Sequence, residues 1–318
     1  MARTRPASRR GRAPAPAGLL VIGSAVSVQI GAAIAIHLFH RISAAGAVTL
    51  RLVFAAALLV AFVHPRLGGR LRRRPERLGA AAERPAPGRR DLAVAVTFGV
   101  VLAAMNLSFY ESLARVPLGV AVTVEFAGPL AVTIAGSRRR LDLLWAVLAG
   151  AGVFLLAGGG LFSAHQPDLV GLGLALLAGA FWAAYIVLSK QTGQRFPGSS
   201  GLAVAMVVAA VCILPVGLAS AGGRLFAPGV LGMGVGVALL SSALPYSLEM
   251  AALRRVSARA FGILVSIDPA VATVAGLAVL GQHLTATAAG AVVLVVAANV
   301  GSSWADARPL PVVEVPTG

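Results

Sequence analysis

The sequence is poor in the residues on which disulfide stability, metal binding and much of catalysis depend. It has a single cysteine, Cys212, in 318 residues, which excludes a disulfide framework and a Cys/His metal site. Charged residues make up only 12% of the chain, and 11 acidic residues stand against 27 Lys and Arg. The sequence contains no GxxxxGK[ST] phosphate loop, no HExxH zinc motif and no GxSxG nucleophile turn. It therefore predicts neither an enzyme nor an ATP-driven pump, and no cofactor.

Apolar residues dominate the composition of the chain. They make up 58% of the chain, and the mean hydropathy of +0.87 lies outside the range of soluble domains. They are gathered into runs of roughly twenty residues, long enough to cross a bilayer core of about 30 Å, without the apolar/polar alternation of an outer-membrane barrel. The chain is therefore predicted to be an all-α membrane protein of ten transmembrane helices. The ten predicted spans are residues 18–38, 43–63, 91–112, 117–136, 142–161, 168–189, 200–220, 227–249, 258–280 and 283–303.

The basic residues are distributed unequally between the two sides of this arrangement. In a soluble protein a net charge of +16 would suggest a nucleic-acid partner, but nearly all the arginines lie in alternate loops. They concentrate in a basic tail, residues 1–17, and an Arg-rich loop, residues 64–90, whereas the opposite side carries few. The positive-inside rule then places both termini in the cytoplasm of a multi-pass protein of the cell membrane, with no nucleic-acid partner. The loop either contacts anionic lipid headgroups or only sets the orientation.

The chain contains an internal repeat. Residues 113–136 align without a gap to residues 253–276, at an offset of 140. Each copy holds an odd number of spans, so the second must enter the membrane from the opposite face, which defines an inverted-topology repeat. The predicted organisation is a first five-helix repeat over 18–161 and a second over 168–303, followed by a C-terminal tail over 304–318. Inverted repeats are typical of carriers, which expose a central site to alternate sides of the membrane.

Two acidic residues lie inside predicted spans, where an ionised side chain costs free energy and usually has a functional role. Glu125 is near the middle of span 4 and Asp268 near the middle of span 9, and their repeat positions differ by three residues. Each is followed by a helix-breaking proline, Pro129 or Pro269, which frees a backbone carbonyl four residues earlier. Freed carbonyls at membrane depth indicate a polar cavity.

Other polar residues at comparable depth extend this candidate site. Arg51 either binds a substrate carboxylate or neutralises Glu125. Tyr110, Trp182 and Tyr185 either line the cavity or anchor helices at the membrane interface. Glu249 is a further candidate, or pairs with an arginine near the cytoplasmic edge. The remaining candidates are Gln29, Asn106 and Tyr246.

Several of these residues stand in short motifs: Leu50–Leu52, Met105–Asn106, Val116–Gly119, Glu125–Val132, Ser242–Met250 and Asp268–Ala270. These motifs carry a resemblance to a known family. The chain resembles the threonine/homoserine exporter branch of the EamA transporters, in the drug/metabolite transporter superfamily, over nearly its whole length. It departs from that pattern at Glu111, at Asp268, where the branch usually has Glu, and in the enlarged Arg-rich loop.

The resemblance implies a secondary carrier of the cytoplasmic membrane that exports small amino acids, such as threonine and homoserine, without ATP. In an alternating-access mechanism, Glu125 and Asp268 would handle the substrate ammonium group or a coupling proton, and Arg51 the substrate carboxylate. One alternative keeps the carrier but changes its cargo to a drug, a purine or another amphipathic metabolite. Another is a membrane scaffold that transports nothing. The sequence does not define the oligomeric state.

Overall fold

A computed structural model describes residues 17–71, 88–136, 140–158, 168–196, 200–253, 255, 261, 264–283 and 285–305. Throughout these described ranges the regular structure is helical. Helices follow from the apolar runs, because a segment in lipid must satisfy its own backbone N–H and C=O groups. The predicted tails, residues 1–17 and 304–318, lie almost wholly outside the described ranges.

The first helix, α1, runs from Ala17 to Leu71 and bends at Ser43, where φ is 66° and ψ is 167°. Its apolar part comprises 44 residues, which at about 1.5 Å per residue is roughly twice the thickness of a bilayer core. We call residues 17–42 the first limb and residues 44–71 the second limb. The Ser43 hydroxyl accepts a hydrogen bond from the Gly46 amide, so it caps the start of the second limb.

The prediction of a loop over residues 64–90 is wrong for its first residues, because α1 continues through Pro65 to Leu71. A proline removes one helical hydrogen bond and bends a helix without obliging it to end. Ten further α-helices follow within the described ranges. They are α2 (Arg89–Leu113), α3 (Leu118–Glu125), α4 (Ala127–Gly136), α5 (Arg140–Gly158), α6 (Leu169–Arg195), α7 (Ser200–Ala221), α8 (Pro228–Ala238), α9 (Leu244–Leu253), α10 (Asp268–Leu280) and α11 (Ala286–Ala305).

Three predicted spans are interrupted, each beside a proline. Span 4 divides at Phe126 into α3 and α4. Span 8 divides into α8 and α9, which are joined by a π turn over Leu239–Ala243. In span 9, α10 begins only at Asp268. Pro129, Pro245 and Pro269 explain these interruptions, since none has an amide hydrogen for a regular helix.

Five helical segments of the described chain are long and apolar enough to cross a membrane, and four apolar helices of 10–17 residues accompany them. Large apolar side chains also lie on the outside of the bundle: Phe154 is 73% exposed, Val293 66% and Val211 63%. Such a surface suits lipid rather than water. The structure thus confirms an all-helical membrane protein, while its division into ten crossings stays a prediction. The long segments are Gly18–Ala61, Arg89–Leu113, Leu169–Arg195, Ser200–Phe226 and Pro228–Glu249.

The helices pack through small residues. α2 packs along α6 and α7, α1 along α7, α8 and α9, and α3 between α6 and α10, while α5 and α11 pair at the side. At Gly99 of α2, a Cβ atom would lie 2.5 Å from the Ala205 carbonyl oxygen of α7. Between membrane helices, where lipid is as apolar as the side chains, close backbone approach of this kind supplies much of the attraction. The bundle therefore brings the interrupted helices α3, α9 and α10 together with α1 and α6.

Candidate functional site

Glu125 is the last residue of α3 and is buried. Pro129 follows in α4 and has no amide hydrogen to donate to the Glu125 carbonyl, so the helix is interrupted here, as the sequence predicts. α6 crosses this break at close range: a Cβ atom on Gly179 would lie 2.6 Å from the Glu125 carbonyl oxygen. A Cβ atom on Gly128 would collide with the Gly179 carbonyl. The two glycines therefore let the backbones touch beside the buried carboxyl group.

Asp268 is the first residue of α10, so the long helix predicted for span 9 is interrupted at this residue. The reason is Pro269, which occupies the first turn of α10, where a missing amide hydrogen does no harm. A carboxylate at a helix N-terminus interacts favourably with the free backbone N–H groups and the helix dipole. Both predicted acidic residues thus lie at interruptions of the helices.

Arg51 projects from the second limb of α1 into the bundle. Its Nη1 donates to the Tyr110 hydroxyl oxygen at 3.3 Å, and its Nη2 donates to the backbone carbonyl of Ser241, in the π turn, at 3.4 Å. The guanidinium also lies 5.4 Å from the centre of the Tyr110 ring, within the range of a cation–π contact. Arg51 therefore connects α1 with α2 and with the π turn.

Three acidic side chains are linked to this guanidinium by a series of electrostatic interactions. Glu125 interacts electrostatically with both Arg51 and Asp268, and Asp268 in turn with Glu249. Glu249 of α9 accepts a hydrogen bond from the Ser24 hydroxyl of α1 at 2.7 Å. Three carboxyl groups and one guanidinium thus form a connected group, which we call the charge cluster.

The other predicted site residues have varied environments. Tyr110 is fully buried under Arg51, so it lines the interior rather than the membrane interface. The Trp182 ring packs perpendicular to Phe126 at 4.9 Å. The Asn106 amide is bonded within its own helix, to the Leu102 carbonyl. The other positions are Tyr185, which packs on Phe98, Gln29, which is buried in α1, and Tyr246 of α9, whose side chain lies outside the described part.

Sequence reasoning missed several residues that the structure brings to this region. Pro245 carried the signal already used for Pro129 and Pro269: it leaves the Ser241 carbonyl, four residues earlier, without its helical partner. Ser24 and Ser27 carried no distinct signal, because an isolated serine in an apolar run is common in membrane helices. Ser27 donates to the Leu240 carbonyl at 2.7 Å, directly before the carbonyl that Arg51 contacts.

Two ion pairs lie at opposite ends of the contact between α2 and α6. Asp91 at the start of α2 accepts from Arg195 at the end of α6, at 2.9 Å. Arg115, just past α2, pairs with Asp168, the cap of α6, at 3.6 Å. The Gly171 amide, together with Arg115, holds the pKa of Asp168 below its ordinary value of 3.8. These pairs join the ends of two regular helices and lie apart from the charge cluster.

The charge cluster can bind a small charged molecule but offers little for chemical conversion. Among the described residues, no group of three or more His, Cys, Asp or Glu side chains is placed to hold a metal ion. A guanidinium linked electrostatically to carboxyl groups matches a solute with a carboxylate and an ammonium group. Charged side chains inside an apolar helical bundle mark solute pathways in membrane proteins. The fold and the cluster together define a membrane transport protein.

Comparison with known proteins identifies its family. The family model of the EamA-like transporter family matches residues 169–304. The chain is 40% identical over 288 residues to the threonine/homoserine exporter RhtA of Escherichia coli K12, covering 91% of each chain. It is 40% identical over 285 residues to RhtA of Salmonella typhimurium LT2, covering 90% of each. The chain belongs to the EamA-like transporter family, so the predicted resemblance is confirmed, and these relatives are transporters rather than enzymes.

Two more distant similarities concern sequence and fold respectively. The uncharacterized transporter YwfM of Bacillus subtilis is 29% identical over 198 residues, which cover 58% of this chain and 66% of YwfM. One crystal structure of another protein superimposes with a TM-score of 0.60 at 15% identity, covering 92% of this chain and 98% of the other. The fold described above is therefore shared with an experimentally solved protein over almost its full length.

Proposed function

We propose that this protein exports threonine, homoserine and related small amino acids across the cytoplasmic membrane as a secondary carrier. The identity of 40% over about nine-tenths of the RhtA exporters supports this substrate class. The observation that carries the proposal is the charge cluster, in which Glu125 interacts with both Arg51 and Asp268 inside apolar helices. A group that combines both signs of charge matches a zwitterion, and an amino acid is the smallest common metabolite of that kind.

In this proposal Arg51 binds the substrate carboxylate, because a guanidinium can donate two parallel hydrogen bonds to a carboxylate. Glu125 and Asp268 receive the substrate ammonium group or a coupling proton. Three carboxyl groups against one guanidinium leave the empty cluster with an excess of acidic groups, which favours uptake of a cation. Two further residues complete the site. Glu249 interacts with Asp268 and accepts a hydrogen bond from Ser24, and Tyr110 accepts one from Arg51.

The proposed arrangement in the membrane is ten crossings in two inverted halves, 18–161 and 168–303, with both termini in the cytoplasm. The bend at Ser43 supports two crossings by α1, whose apolar part has about twice the length of one. The range that the family model matches, 169–304, begins and ends within one residue of the second half. The distribution of arginines supports the orientation. Alternating access then proceeds by movement of the halves around the charge cluster.

The experiment measures efflux of threonine and homoserine from cells that carry the wild type, Glu125→Gln or Asp268→Asn at equal membrane abundance. Each substitution removes a carboxylate of the cluster, and we expect efflux to fall at least about tenfold, as for a group that acts in the rate-determining steps. Glu111→Gln is the matched control, since it removes a carboxylate from α2 that is not part of the cluster.

An untargeted comparison of exported metabolites from the same cells covers other cargo. Export of a drug-like or purine compound in place of amino acids would contradict the proposed substrate class. Efflux of threonine at the wild-type rate from both cluster variants would remove Glu125 and Asp268 from the mechanism. Absence of any solute flux in reconstituted vesicles would favour a scaffold over a carrier.

A further inference from the structure

The π turn between α8 and α9 has backbone carbonyl groups that the helix itself does not satisfy. Within the turn, the Leu244 amide bonds to the Leu239 carbonyl, five residues back rather than four. Pro245 has no amide hydrogen, so the Ser241 carbonyl lacks its regular partner. A backbone carbonyl at membrane depth needs a donor from elsewhere. π turns inside helices frequently occur at functional sites.

The donors come from α1. The Ser27 hydroxyl, on the first limb, donates to the Leu240 carbonyl at 2.7 Å, and Arg51, on the second limb, donates to the Ser241 carbonyl at 3.4 Å. Gly31 of the first limb packs directly on the turn: a Cβ atom there would lie 3.1 Å from the Ser241 amide nitrogen and would collide with the Ser241 hydroxyl. The turn is therefore held in place by both limbs of α1.

The two bonds differ in a way that bears on transport. The Ser27 bond is short, whereas the bonds from Arg51 to Ser241 and to Tyr110 are both longer than is usual for N–H···O hydrogen bonds. A carboxylate would form shorter, charge-assisted and bidentate bonds with the same guanidinium. A substrate carboxylate would therefore displace the Ser241 carbonyl from Arg51 and leave the Ser27 bond intact.

We propose that the arrival of a substrate carboxylate at Arg51 releases the Ser241 carbonyl, and that this release lets the π turn shift and starts the movement of the carrier. Pro245 is then a positioning residue, since its missing amide hydrogen keeps the Ser241 carbonyl dependent on Arg51. Movement of the turn also moves α9 and with it Glu249, which accepts from Ser24 and interacts with Asp268 of the charge cluster. This inference rests on the proposed function, because it requires a substrate with a carboxylate.

The decisive variant is Pro245→Ala, which restores an amide hydrogen for the Ser241 carbonyl. We expect the KM for threonine efflux to stay within about twofold, because Arg51 remains, and the maximal rate to fall about tenfold, because binding no longer frees the turn. Pro215→Ala is the matched control: Pro215 also lies inside an apolar helix, α7, but its missing amide hydrogen affects a carbonyl of α7 rather than that of Ser241, and we expect wild-type kinetics. Ser241→Ala removes only the hydroxyl and keeps the carbonyl, so its maximal rate should exceed that of Pro245→Ala.

A second measurement uses the unaltered chain, in case Pro245→Ala does not reach the membrane. Hydrogen exchange of the purified protein is followed with and without saturating threonine, and we expect exchange in the peptide covering residues 239–248 to increase with threonine. Unchanged exchange there, or wild-type KM and maximal rate in Pro245→Ala, would overturn the inference while the proposed function stands. Failure of the wild type to export threonine would contradict both.

Discussion

Helices of the proposed first half meet helices of the second at several places in the bundle, and two of these contacts are built differently. In one, the regular helices α2 and α6 pack along each other and are joined by an ion pair at each end. In the other, α1 packs against α8, the π turn and α9. Its first limb donates hydrogen bonds to the Leu240 carbonyl and to Glu249, and Arg51 on its second limb donates to the Ser241 carbonyl. We call them the α2–α6 contact and the α1–π contact.

The difference indicates where the carrier is rigid and where it moves. Breaking the α2–α6 contact would separate ion pairs at both ends together with the buried bond from Ser112 to the Gly171 carbonyl. The α1–π contact already lacks regular helical bonding, so its local hydrogen bonds can exchange without loss of a whole helix. Packed interfaces tend to switch between discrete arrangements rather than deform gradually. We therefore expect the α2–α6 contact to act as the fixed axis and the α1–π contact as the moving part.

Removal of the guanidinium should have the largest effect. Arg51→Gln deletes the donor to the Ser241 carbonyl and the only cation described in the charge cluster, so we expect threonine efflux to fall at least about a hundredfold. Arg224→Gln, in the exposed turn before α8, is the charge-matched control and should leave efflux within about twofold. Efflux of Arg51→Gln above a tenth of the wild-type rate would show that transport does not depend on the Arg51 bond in the α1–π contact.

A pair of glycine substitutions compares the two contacts directly. Gly31→Ala pushes against the π turn, so we expect efflux per molecule to fall about tenfold. Gly171→Ala, in the α2–α6 contact, crowds Arg115 and Val116; overpacking should lower stability by about 1–3 kcal/mol while efflux per folded molecule stays within about twofold.

Gly18→Ala and Gly173→Ala serve as controls for the two substitutions, because a Cβ atom at either position meets nothing within 4 Å. Efflux is divided by the amount of folded protein in the membrane, which separates rate from abundance. If Gly171→Ala slowed each molecule as much as Gly31→Ala, the two contacts would be equally involved in movement, and the distinction between a fixed and a moving part would be wrong.

The sequence predicted the helical membrane class and the family, and it predicted an interruption after Glu125 from Pro129. It did not predict that Arg51 contacts a backbone carbonyl, because carbonyl groups are common to all residues and leave no mark in composition. It also missed the pairing of Ser24 with Glu249, which are 225 positions apart. In soluble helices an apolar stripe indicates the buried face, but here nearly every face is apolar, so the pattern does not reveal which helices meet.

Loss of the Ser24 hydroxyl should have an intermediate effect. Ser24→Ala removes the hydrogen-bond donor to Glu249, although the carboxyl group itself stays in the charge cluster. Because this carboxyl group loses one partner, we expect efflux to fall about three- to tenfold. The control is Ser247→Ala on α9, whose hydroxyl bonds only to the Ala243 carbonyl one turn earlier in the described chain. Equal efflux from both variants would mean that the Ser24–Glu249 bond has no part in transport.

The smallest expected effect concerns an exposed end of the α2–α6 contact. Asp168→Asn keeps a cap on the Gly171 amide but removes the charge that pairs with Arg115, so we expect Tm at neutral pH to fall by no more than about 2 °C. The pKa of Asp168 is lower in the folded protein than its ordinary value of 3.8, so the charge stabilises the fold above that pH and stops doing so as the pH falls through the lowered value. Melting curves of both proteins from pH 7 to pH 3 should therefore converge at the acidic end. A difference that grew on acidification would mean that Asp168 does not stabilise this end of the contact through its charge, and the α2–α6 contact would then depend on Asp91, Arg195 and the buried packing.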